Sequence, residues 1–260
     1  MQLENKCDIM KEYRFENCAN SVESCVVAQR AGVDRVELCA GMPEGGTTPS
    51  YGDIIMARRV LTTTKLHVII RPRGGDFLYS DLEKEIMLED VRMARKVGVD
   101  GVVFGALTAD GDVDVEFMQQ LMAEAEGMSV TFHRAFDVCR DPFVALEQII
   151  ELGCNRILTS GQMPRAEEGV ELLRELVECA GERIIIMPGC GVNASNIARI
   201  AEVTGACEFH FSGRSRCESG MLFRKSRVSM GGAVVIDEYS RDVTDENVVR
   251  ETMGKLRIEN

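Results

Sequence analysis

No apolar run in this chain approaches the ~20 residues needed to cross a bilayer, and its start, Met1 to Lys6, lacks the apolar core of a secretory signal. An intracellular protein with no membrane partner is expected. Positive charge is in short supply: 30 Lys and Arg against 42 Asp and Glu give a formal charge of −12. So acidic a chain disfavours nucleic acid and anionic lipid as partners, because those surfaces are met with clustered Lys and Arg. The ten cysteines include no CxxC pair, and no histidine stands at zinc-finger spacing. In a reducing compartment most such thiols pack as small apolar side chains. Ten are nevertheless enough for two to meet in space as soft metal ligands.

What is present is alternation. Apolar and β-branched runs at 14–18, 34–39, 66–70, 99–104, 128–132, 156–158, 183–187 and 208–211 read as strands. Between them lie helical patterns with recognisable ends, among them the capping box Ser80-x-x-Glu83, the Asp141-Pro142 start, and Gly32, Gly98 and Gly153 at C-caps. A last helix is expected from about Thr244 to Leu256. Eight strands alternating with helices over 260 residues predict a single α/β domain, 1–260, closed as a (β/α)8 TIM barrel. An open doubly wound sheet is the other architecture with this pattern. No linker divides the chain; residues 1–12 read as a tail, and 212–240 as one long irregular loop after strand eight, a lid or an oligomer contact.

In such a barrel, chemistry gathers where strands end. Those positions carry Cys18, Asn20, Glu37, Cys39, Arg71, Arg73, His133, Arg134, Asp137, Thr159, Ser160, His210 and Ser212. Arg71, Arg73 and Arg134 suit an anion, which arginine grips bidentately; the same groups could instead pair with acids to close the barrel top. His133, Glu37 and Asp137 are the candidates for proton transfer, with plain packing as the alternative for His133. His67, early in its strand, falls at the opposite end and reads as structural. Gly189 and Gly191 after strand seven, with Ser212 and Arg214 after strand eight, would form a phosphate cradle on backbone N–H groups, or only a tight turn. Cys18 and Cys39 end the first two strands, which neighbour each other if barrel order holds. Two thiolates there suit Cu(I) better than Zn(II), which wants two further ligands; two buried small residues would have the same spacing.

The motifs Arg35-Val36-Glu37-Leu38-Cys39, Glu44-Gly45-Gly46-Thr47-Thr48-Pro49-Ser50, Arg71-Pro72-Arg73-Gly74-Gly75-Asp76-Phe77, Thr131-Phe132-His133-Arg134-Ala135-Phe136-Asp137 and Ile157-Leu158-Thr159-Ser160-Gly161 resemble, in order, the CutC copper homeostasis family. The run from Gly220 through Met221, Phe223 and Arg224 to Gly231 is more similar to its animal members. The resemblance implies a TIM-barrel, cytoplasmic, homo-oligomeric protein with Cu(I) held by Cys18 and Cys39. Asn20 stands where the family pattern has an acid, and Cys190 where it has a glycine, which makes Cys190 a candidate extra ligand. The arginines and His133 are left unexplained by copper alone, so the alternative is an enzyme acting on a small anionic or phosphorylated metabolite.

Overall fold

The computed structural model describes residues 12–225, 227, 228, 230 and 237–257. Eight parallel strands line up as β7-β6-β5-β4-β3-β2-β1-β8: β1 (Arg14–Ala19), β2 (Arg35–Leu38), β3 (Lys65–Ile69), β4 (Gly101–Phe104), β5 (Ser129–Phe132), β6 (Arg156–Thr159), β7 (Ile185–Pro188) and β8 (Glu208–Phe211). β7 and β8 pack side by side without ladder pairing, so the sheet curls into a barrel with one open seam. The helices α1 (Val22–Ala31), α2 (Tyr51–Val60), α3 (Asp81–Val97), α4 (Val115–Glu124), α5 (Pro142–Glu151), α6 (Val170–Ala180), α7 (Ile197–Thr204) and α8 (Glu246–Gly254) form the outer ring. This is the expected TIM barrel rather than the open sheet.

Local chemistry sets the helix ends. The Ser80 hydroxyl accepts from the Glu83 N–H while the Glu83 carboxylate accepts from the Ser80 N–H, starting α3, and Gly98 at φ 80° ends it in a left-handed turn. Asp141 caps α5 ahead of Pro142. Strand periodicity divides the buried residues into two sets. Phe15, Val36, Leu38, Phe209 and Phe211 belong to the apolar layer beneath the helices. Their alternates, Glu16, Cys18, Arg35, Glu37, Glu208 and His210, fill the barrel with polar groups that are also buried.

Two loops differ from expectation. Residues 212–240 are not irregular throughout: β9 (Arg214–Glu218) pairs antiparallel with β10 (Ser240–Thr244) as a separate two-stranded arm, with β10 packed against α1. Residues 226, 229 and 231–236 of that span, and 1–11 of the expected tail, lie outside the described residues. After β7 the helix starts at Ile197 rather than near Asn193. The Asn193 side chain accepts from the Ser195 N–H, and Asn196 Oδ1 accepts from the Asn193 N–H, so these asparagines hold a non-helical turn first.

Candidate functional site

A cavity of about 610 Å3 opens at the carboxyl ends of the barrel strands, with Cys18, Glu37, Cys39, Arg71, His133 and His210 in its wall. The register of β1 on β2 sets Cys18 opposite Glu37, and the Cys39 N–H continues the ladder by donating to the Ala19 carbonyl. Cys18 and Cys39 therefore meet with their sulfurs 3.9 Å apart, both buried. The Cys18 thiol is held well below the usual thiol range, first by the hydrogen bond from Cys39 and then, against the opposing effect of burial, by His210 and the Arg214 guanidinium, whose Nη2 lies 3.4 Å from its sulfur. Cys39 is pushed well up, because it is the donor to that thiolate and is itself buried.

His210 completes the thiol corner. Burial alone would strip its proton, but the neighbouring Cys18 and Glu16 outweigh burial and raise it well above the ordinary histidine range. Its Nδ1 sits 2.7 Å from Glu16 Oε1, and its Nε2 is 3.7 Å from Glu37 Oε2. Glu37 is pushed up to about 8 by burial, which His210 only partly offsets, so it is a neutral acid near pH 7. Two sets of donor atoms lie within 4.8 Å of one another: Cys18, Glu37 and Cys39, and Glu16, Glu37 and His210.

Below this corner runs a buried ion cluster. Arg35 donates to Glu16 and, at 2.8 Å, to Glu208, while Arg156 reaches Glu208 at 3.2 Å. His67 lies 3.9 Å from Glu16 and is driven down to about 3 by burial, so it is neutral; it is the floor residue its strand position implies. Glu16 and Glu208 were legible only as acidic residues inside apolar strands, and His210 as one more strand end. Alternation was the available signal: a charge at an inward-facing position of a buried strand needs a partner inside the barrel.

The remaining candidates are distributed unevenly. Arg71 lines the cavity but gives its Nη atoms to the carbonyls of Glu44, Gly46 and Gly75, tying two loops together. Arg73 lies outside the cavity wall and pairs with Glu83 and Asp76. Asp137 is also outside the wall, enclosed by Arg134, Thr159, Ser160 and the Gln162 N–H. Arg134 reaches the rim, paired to Asp137 at 2.6 Å and to Ser160. Asn20 binds the Asp242 carbonyl and anchors β10. Gly191 and Ser212 line the cavity, but the Gly189 N–H bonds the Thr159 carbonyl. Helix α7 starts too late to present its N-terminus to these glycines as a phosphate cradle requires. Cys190 bonds the Pro164 carbonyl and belongs to neither cluster of possible metal donors. The anion set expected across the mouth is thus largely spent on the loops themselves.

Residues 13–215, which contain the barrel and this mouth, match the model of the CutC family. A CutC family protein from Bacteroides fragilis is 64% identical over 247 residues, 95% of this chain and 98% of its own length. The human copper homeostasis protein cutC homolog is 51% identical over 238 residues, 92% of this chain and 87% of its own. Identity along the whole chain thus runs higher to that bacterial member than to the human one, against the expectation of an animal-type member. The crystal structure of a CutC protein from Streptococcus agalactiae superimposes with a TM-score of 0.74 at 38% identity, covering 77% of this chain and 98% of that one. An aldolase at 17% identity and TM-score 0.60 shares the fold alone. The family match, the identities along nearly the full chain and the shared barrel agree: this chain belongs to the CutC family.

Proposed function

We propose that this protein serves copper homeostasis by binding Cu(I) between Cys18 and Cys39. The observation that carries the reading is the approach of the two sulfurs to 3.9 Å at a cavity wall. Thiolates are soft donors, and a pair of them satisfies Cu(I), which accepts low coordination numbers. The fit is also electrostatic. Cys39, His210 and Arg214 beside the Cys18 thiol hold it well below the usual thiol range, which favours the thiolate that a soft cation takes up. The names of the relatives, copper homeostasis proteins, favour the same ion.

The test is an anaerobic Cu(I) titration in competition with a chromophoric chelator. Wild type should take copper from the chelator, and the Cys18→Ser plus Cys39→Ser double variant should not. An unchanged affinity in the double variant refutes the site.

A second reading, an enzyme acting on a small anion, is favoured by one arrangement. Cys18, His210 and Glu16 stand in the order of nucleophilic thiol, charge-bearing imidazole and orienting carboxylate, with Glu16 2.7 Å from His210. Under it, Cys18 should form a covalent adduct with an electrophilic substrate analogue, and loss of His210 should slow that step without affecting Cu(I) affinity.

A further inference from the structure

Glu37 is only 3% exposed, yet its carboxylate is half satisfied. Its Oε2 stands 3.7 Å from His210 Nε2, while its Oε1 has no hydrogen-bond partner. A buried acceptor left over in this way marks a place for an ion or a donor that the chain itself does not supply. The two thiols of the barrel mouth stand beside it: single donor atoms of Cys18, Glu37 and Cys39 lie within 4.8 Å of one another.

That spacing suits a tetrahedral ion. Zinc-type centres hold thiolate sulfur at about 2.3 Å and carboxylate oxygen at about 2.0–2.2 Å, so the sulfur–sulfur edge of the tetrahedron is about 3.8 Å. The Cys18 and Cys39 sulfurs are 3.9 Å apart. The ladder between β1 and β2 sets Glu37 opposite Cys18, and Cys39, two residues further along, shares the Glu37 face. The three donors are thus placed by strands rather than by loops. Behind them, His210 pairs with Glu37 and is itself held at Nδ1 by Glu16 at 2.7 Å, a chain of buried partners of the kind that steadies a metal-binding carboxylate.

We propose that Cys18, Cys39 and Glu37 form a three-ligand site for a divalent cation of the Zn(II) class, with Glu37 as the residue that decides between this ion and Cu(I). The site rests on the Cu(I) reading only for its thiol pair. Two thiolates satisfy Cu(I), whereas Zn(II) needs further ligands, and a carboxylate is a hard donor that favours the divalent ion. All three residues line the cavity, so the fourth coordination position is reached from there. Three protein ligands with one exchangeable position are the pattern of a zinc centre that handles water or a substrate, since a structural centre closes all four.

The full chain, reduced and freed of metal, is titrated anaerobically with Co(II) and then Zn(II), and separately with Cu(I) against a chromophoric chelator. Co(II) should give the intense visible bands of a tetrahedral ion together with near-ultraviolet thiolate-to-cobalt absorption, and stoichiometric Zn(II) should abolish both. Glu37→Gln should weaken Zn(II) binding at least about tenfold, the least that loss of even an outer-shell partner costs, and leave Cu(I) affinity unchanged. Circular dichroism checks that the variant folds; if it does not, Glu37→Asp, whose carboxylate is drawn back from the ion, makes the same comparison. A faint six-coordinate Co(II) spectrum in wild type, or a tetrahedral one that survives Cys18→Ser plus Cys39→Ser, overturns the proposal. So does a folded Glu37 variant that keeps its Zn(II) affinity or loses both ions alike. Wild type that takes Cu(I) but neither divalent ion sinks this proposal and leaves the copper reading standing; divalent binding without Cu(I) does the reverse.

Discussion

Replacing Glu16 with glutamine probes the electrostatic unit on which the thiol corner rests. The carboxylate is fully buried and receives Arg35 on one oxygen and His210, at 2.7 Å, on the other. Glutamine keeps the shape but removes the charge, leaving two cations less compensated in the barrel interior. Breaking a buried pair by removing one partner costs about 3–5 kcal/mol. The lower figure is expected here, because Arg35 keeps Glu208 at 2.8 Å. For a chain of this size each kcal/mol moves the midpoint by roughly 2–4 °C, so thermal unfolding should shift down by roughly 6–12 °C at pH 7. The pH dependence has a definite sign. Although burial pushes the Glu16 carboxyl up, Arg35 and His210 hold it well below the carboxylate range. Its contribution is therefore complete above its unfolded pKa, about 4.3, and is lost only as pH falls through the lower folded value. The wild-type advantage should persist down to about pH 5 and shrink only in stronger acid. Scanning calorimetry of both proteins at pH 7 and pH 4 measures it. A variant that melts within about 2 °C of wild type at pH 7 would show that Glu16 carries no net charge-pairing energy, and the account of His210 as a held imidazolium would fail with it.

His67 and His133 are both driven to about 3 by burial, so the unfolded chain takes up protons that the folded chain refuses once the pH drops below about 6.5. Stability should decline from there towards pH 3, and His133→Gln should flatten that decline in a denaturant series. Gly101→Ala should destabilise by about 1–3 kcal/mol or more, since a Cβ there would sit 2.4 Å from His67 Nε2 and 2.6 Å from the Ser129 carbonyl oxygen; a neutral result in urea would refute the close packing of the barrel floor. Cys18 should be the fastest buried thiol to react with iodoacetamide near pH 7, whereas Cys25 and Cys154, pushed up by burial to about 12, stay inert. Mass mapping of the alkylated peptides decides this, and equal labelling of the three would count against a Cys18 thiolate.

The order of elements was legible because each strand and helix writes its own period and punctuation. Ser80 with Glu83, Asp141 with Pro142, and Gly98 act within one turn of chain, and all three appear where the pattern put them. The nearness of Cys18 to Cys39 was legible as one alternative, since barrel order makes the first two strands neighbours, and the register of β1 on β2 decided it. The arginines were less legible. Arg71, Arg73 and Arg134 look alike at strand ends, yet one ties loops, one pairs outside the cavity and one braces Asp137. Whether a guanidinium faces a ligand or a carbonyl depends on where loops settle, and loop backbones leave no periodic trace.

The sequence by itself determined the alternation of eight strands and helices and put Cys18 and Cys39 at the ends of the first two strands, both consequences of local periodicity repeated along the chain. Only the tertiary structure decided what surrounds that pair. Glu16 and His210 are 194 residues apart in the chain and 2.7 Å apart in space, joined because β8 closes onto β1. Closure joins the first and last strands whatever their separation along the chain, so no window of sequence could contain the contact that sets the charge beside Cys18.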